Sequence, residues 1–213
     1  MTTQHATLPM YPVQFGVDYP DRQLNRLTSA FRIFVALPVL IVLAVVSGSV
    51  SVWSGESSAV ALGAGGLLFA GPLLTILFRG KYPRWWFDWN LELQRFTNRV
   101  VVYLALMDDR YPSTDERQAV HLEYAYPNAS RDLNRWLPLV KWLLVIPHLL
   151  VLLFLWIAAL VVVVLAWFAI LFTGRYPRGM FRFVEGVMRW GQRVIAYAFL
   201  LVTDSYPPFR LAA

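Results

Sequence analysis

The sequence predicts an all-α integral membrane protein: two tandem helical hairpins, four membrane helices in all, each hairpin followed by an amphipathic interfacial helix. Three observations predict this. Hydrophobic residues make up 58% of the 213 residues, above the roughly 45–50% of soluble domains, and the mean hydropathy is +0.51. They are also clustered: Ile33–Val46, Val60–Phe78 and Leu143–Phe172 contain no Asp, Glu, Lys or Arg, whereas a soluble core spaces its apolar positions periodically. Finally, the chain repeats itself, and its basic residues keep to one side of the expected hairpins.

The opening residues, 1–18, read as a mobile N-terminal tail, because no basic segment leads into an apolar stretch and a small-residue cleavage site. The first unit, 19–112, starts near Tyr19-Pro20. Phe31–Val46 and Ala59–Phe78 have the length of short spans, separated by a Gly- and Ser-rich turn around Ser47–Ser58 whose one charge is Glu56. A linker, 113–125, leads to the second unit, 126–208, which starts near Tyr126-Pro127, and 209–213 form a C-terminal tail. The apolar run Trp136–Phe172 exceeds one span and reads as two short helices; a re-entrant hairpin fits the same length.

The duplication rests on landmarks in register. Leu24-Asn25-Arg26 recurs as Leu133-Asn134-Arg135, Arg32 answers to Lys141, and Pro38 to Pro147. Ile76–Arg84 recurs as Ile170–Arg178 around Gly, a basic residue and Tyr-Pro-Arg. Arg95, Arg99 and Tyr103 match Arg189, Arg193 and Tyr197, and each unit closes on Asp-x-Tyr-Pro at Asp109 and Asp204.

Two hairpins would place Arg22, Arg26, Arg32, Arg79, Lys81, Arg84, Arg110, Arg131, Arg135, Lys141, Arg175, Arg178 and Arg210 on one side. The positive-inside rule then predicts a multi-pass protein of the bacterial inner membrane with both termini cytoplasmic. After each Tyr-Pro-Arg the apolar residues recur at helical spacing: Trp85, Trp89, Leu93, Phe96, Val100, Tyr103 and Met107, then Phe183, Val187, Trp190, Val194, Tyr197 and Leu201. Charges exclude these stretches as spans and suit helices lying at headgroup level. They either brace the hairpins or hold anionic lipid through Arg84, Arg95, Arg99, Arg178, Arg189 and Arg193.

His148, beside Pro147, is the ionisable residue most deeply set in an apolar segment, and reads as a kink-stabilising group or a proton relay. His5, His121 and His148 lack metal-ligand spacing, so no metal or other cofactor is expected. No GxSxG elbow marks a nucleophile. With no cysteine, disulfides and thiolate sites are excluded by count. Gly63, Gly65, Gly66 and Gly71 read as helix-contact residues rather than a phosphate cradle. The pI of about 9.8 reflects membrane topology rather than nucleic-acid binding, because the basic residues flank apolar segments.

GKYPRWWFDWNLELQRFTNRVVVYLALMDDRYPS and GRYPRGMFRFVEGVMRWGQRVIAYAFLLVTDSYPPF both resemble the bacterial domain of unknown function 4389 family. The resemblance implies a bacterial membrane protein, often with this duplication, and brings no activity or catalytic residues. The expected function is a nonenzymatic accessory or scaffold protein that binds anionic membrane lipid, a membrane protein partner or a second copy of itself. A small lipid-handling transporter or channel component is the alternative.

Overall fold

A computed structural model describes residues 11–47 and 71–212. In chain order these form strand β1 (Val13–Val17), helices α1 (Arg26–Ala30) and α2 (Arg32–Val46), a π-helical turn (Thr75–Arg79), α3 (Arg84–Leu104), strand β2 (Val120–Tyr124), α4 (Leu137–Thr173) and α5 (Arg178–Ala198). Beyond Ser47, the expected turn to Ser58 and most of the apolar segment that follows, with Gly63, Gly65 and Gly66, lie outside the described residues, as does His5.

The expected fold class is overturned. An antiparallel sheet of β1 and β2 joins residues read as tail and linker, with Val13 opposite Tyr124, Phe15 opposite Leu122 and Val17 opposite Val120. Both strands alternate. Val13, Phe15, Val17, Val120, Leu122 and Tyr124 point inward, while Gln14, His121 and Glu123 face out. Two strands alone are marginal in water, and here the inward face is covered by helices, α3 on β2 and α5 on β1.

Four membrane helices in two hairpins are not found among the described residues either. Among the described residues α4 is the one helix long and apolar enough to cross a membrane, while the 15-residue α2 is shorter. The physical reason is local. Leu137–Phe172 contains no Gly, Ser, Asn or Asp to make a turn, and Pro147, by removing one ladder bond, does not reverse a helix.

The helices after each Tyr-Pro are present, yet α3 and α5 form a middle layer rather than lying flat on lipid. Their apolar residues surround more than one face: on α5, Phe181, Val184, Val187, Met188, Trp190 and Val194 are all buried. One side meets the sheet and the other meets the apolar helices, α2 on α3 and α4 on α5. Pro83 and Pro177, extended at ψ 129° and 127°, start α3 and α5. Gly80 and Gly174, at φ 58° and 73°, supply the left-handed residue that ends the preceding helical segments.

Candidate membrane interface

The arginines singled out by the sequence divide by position. Arg95 Nε donates to the Leu122 carbonyl at 3.0 Å, and Arg189 Nε donates to the Phe15 carbonyl at 2.8 Å. Phe15 and Leu122 face each other in the sheet, so the two guanidiniums clamp its central pair. Glu92 holds Arg95 at 2.6 Å and Glu185 holds Arg189 at 2.5 Å.

Arg99 donates to the carbonyls of Ser113 and Thr114 at 3.0 and 3.2 Å. Arg193 donates to those of Arg210 and Ala212 at 3.1 and 2.8 Å. Burial lowers the proton affinity of both; Glu92 opposes this at Arg99, whereas Arg210 and Arg189 add to it at Arg193. These four side chains are therefore occupied by main chain. Arg84 and Arg178 differ: each is exposed, stacked over a tyrosine ring (Tyr126 at 5.1 Å, Tyr19 at 5.0 Å) and paired across 4.0 and 3.5 Å with Asp88 and Asp21. Beside Arg178, a recess of about 310 Å³ also carries Asp21 and Glu185, a mixed charge that does not favour an anion.

Two cations that the sequence offered as alignment landmarks and as part of the one-sided charge anchor the outer helices. Arg32 Nη1 donates to the carbonyls of Asp108 at 2.5 Å and Tyr103 at 3.2 Å, beneath the Tyr103 ring. Lys141 Nζ meets the Thr203 carbonyl and Asp204 Oδ1, both at 2.7 Å, beneath the Tyr197 ring. Asp204 also accepts from the Asn134 amide at 2.6 Å, and Asp109 from the Asn25 amide at 3.3 Å. The Asp-x-Tyr-Pro and Leu-Asn-Arg landmarks thus meet in space.

His148 is fully buried and faces α5 and the C-terminal segment. Its Nδ1 accepts the Trp190 indole hydrogen at 3.0 Å, and its ring stacks on Phe209 at 3.9 Å. At the centre of the molecule Tyr124 donates to Gln192 at 2.7 Å, and Gln192 donates to Asn98 at 3.0 Å, tying α3, α5 and β2 together. Burial raises the Tyr124 phenol far above its ordinary range, which keeps it a donor. Among the described residues, no group of three or more His, Asp or Glu could hold a metal ion.

On the far side of α4 the surface is continuous hydrocarbon. Leu143, Leu150, Leu153, Phe154, Ile157, Leu160, Leu165 and Phe172 are all exposed, Phe172 at 78%. Buried positions form a narrow stripe through Lys141, Val145, His148, Leu152, Ala159, Ala166 and Ile170. The core helix of a soluble protein would be covered on most sides; this one is not. α2 adds Ile33, Phe34, Leu37, Ile41 and Val45.

Residues 136–210 match the family described as Domain of unknown function (DUF4389). The DUF4389 match spans α4, α5 and the Asp-x-Tyr-Pro segment, the second of the two units read from the sequence. No curated protein and no solved structure matches the chain. Within the DUF4389 segment, sequence reasoning missed Lys141 as the partner of Asp204. A basic residue at the first turn of an apolar run was the available signal, since such a charge requires a partner.

Proposed function

We propose that the chain is a nonenzymatic accessory protein of the bacterial inner membrane, built from two copies of one unit, that seats on lipid through α4 and α2 and presents its polar layers to a partner. The observation that carries this reading is the exposed hydrocarbon of α4, an area larger than single exposed residues on a soluble surface explain. Arg84 and Arg178, whose guanidiniums remain accessible, are the positions of the six best suited to meet anionic headgroups.

The two-copy reading is supported by contacts that recur across the molecule. Tyr19 donates to the Tyr176 carbonyl at 2.5 Å and Tyr126 donates to the Tyr82 carbonyl at 2.6 Å, so each unit opens by capping the other unit's Tyr-Pro. Leu106 and Leu201 share the left-handed conformation, at φ 63° and 57°. The scaffold role is supported by how the polar groups are used, since the arginines of α3 and α5 bind carbonyls that hold the fold.

Cell fractionation tests the seat: the full chain should stay in the membrane pellet through high-salt and alkaline carbonate washes. Release by carbonate overturns the reading. Purification in mild detergent with protein and lipid mass spectrometry tests the role. A stoichiometric partner or a second copy, with anionic lipid retained, is the expected result; a retained lipid alone would favour lipid handling.

A further inference from the structure

α4 has the length of a membrane span, but the layers around it do not fit one. Its charge-free run, residues 142–172, makes about 46 Å of helix against a hydrocarbon core of about 30 Å, so a crossing that buried all of it would need a tilt of about 50°, outside the roughly 0–40° range of spanning helices. It is also attached along its length. Lys141 in its first turns is fixed to Thr203 and Asp204, His148 to Trp190, and Gly174 beyond its last turn accepts from the Leu24 amide at 2.9 Å.

A crossing would therefore carry α5 and the sheet behind it into hydrocarbon. α5 brings Arg182, Glu185, Arg189 and Arg193, and the two-stranded sheet brings open edges whose amides and carbonyls lipid cannot satisfy. The charge around α4 points the same way. Arg131 and Arg135 are exposed just before its start, and Arg175 and Arg26 are exposed at its end, where the Arg26 guanidinium lies beside Gly174. An upright helix would put these cations on opposite sides of the membrane, against the positive-inside asymmetry, whereas a helix in the membrane plane keeps all of them on one side.

We propose that α4 lies in the plane of the bilayer, within one leaflet, as the floor of a three-layer module whose polar sheet face points to water and whose rim arginines meet anionic headgroups. This rests on the membrane seat proposed above and fixes its geometry. The exposed floor is apolar, the opposite face carries Gln14, His121 and Glu123, and a helix of about 10–12 Å diameter fits a leaflet of about 15 Å of hydrocarbon.

The chain contains no cysteine, so single labels report without background. Leu143→Cys, Leu150→Cys, Ile157→Cys and Val164→Cys, all at exposed positions of α4, would be spin-labelled in the full chain on vesicles of phosphatidylethanolamine and phosphatidylglycerol. Accessibility to oxygen and to a water-soluble nickel chelate then gives the depth of each. The expected result is one shallow acyl depth for all four, within about a helix radius of ~5 Å. A profile that passes through the midplane, with Leu143 and Val164 positions near opposite interfaces about 32 Å apart, overturns the in-plane seat and leaves membrane attachment standing. Failure of the chain to float with the vesicles overturns both.

Discussion

His148 is polar, buried and set within an apolar helix, so what packs on its ring decides what it does. Trp190 donates to Nδ1, which assigns the proton of the neutral ring to Nε2, and Phe209 stacks on one face. Residue 148 thus joins α4, α5 and the C-terminal segment. His148→Ala should lower stability by about 2–4 kcal/mol, from the cavity and the orphaned indole hydrogen together, read as a lower thermal midpoint in detergent. His148→Asn, whose amide oxygen can take the same hydrogen, should recover part of the loss; equal loss in both variants would remove the hydrogen bond from the account. Lys141 gives a second case. Lys141→Met leaves Asp204 without its cation, at a cost of about 3–5 kcal/mol, and Lys141→Met with Asp204→Asn should regain most of it while keeping the acceptor for the Asn134 amide. His148 and the arginines were visible in the sequence as unusual residues in their segments. Their partners were not, because Trp190, Leu122 and Phe15 lie 42, 27 and 174 residues from the groups they bind.

Among the elements, α3 and α5 were the most legible: the prolines before them mark their starts, while the apolar periodicity runs on to Met107 and Leu201, past the ends at Leu104 and Ala198. The strands were not. VQFGV and VHLEY alternate over only five residues each, and their partner strand is more than a hundred residues away, so only the helices beneath them make the pairing stable. The break expected inside Trp136–Phe172 failed for the opposite reason: length argued for a turn, but the segment has no Gly, Ser, Asn or Asp, and Pro147 is accommodated within the helix. Where glycine does end a helix, its conformation is the constraint. Gly174 sits at φ 73° with no atom closer than 3.5 Å to where a Cβ would stand, so Gly174→Ala is limited by backbone strain rather than by space. We expect a loss of about 1–2 kcal/mol, measured by denaturant unfolding in detergent. A loss under a few tenths would mean that the turn relaxes to another conformation.

At the scale of the molecule, the sequence reading expected the charge on one side of a membrane, and the in-plane seat proposed above would keep the cations around α4 on one side by a different route. The expected origin was two hairpins returning the chain to one face. The structure instead stacks a polar sheet, a middle layer whose arginines bind carbonyls, and an apolar floor, with exposed Arg26, Arg131, Arg135 and Arg175 at the two ends of α4. Buried and exposed arginines should therefore behave differently. Replacing Arg26, Arg131, Arg135 and Arg175 with Gln should leave folding intact and weaken binding to phosphatidylglycerol vesicles by at most about a thousandfold, from ~1 kcal/mol per surface cation. The difference from the unaltered chain should shrink as added salt shortens the Debye length from about 10 Å at 0.1 M to 3 Å at 1 M. On neutral phosphatidylcholine the two proteins should bind alike, because there the apolar floor alone supplies the attraction. Arg95→Gln and Arg189→Gln should instead lower the thermal midpoint, since each removes a donor from a carbonyl of the central strand pair. Vesicle cosedimentation beside thermal unfolding separates the two classes, and a rim variant that binds both lipids as tightly as the parent would mean that the cations at the ends of α4 do not meet the membrane.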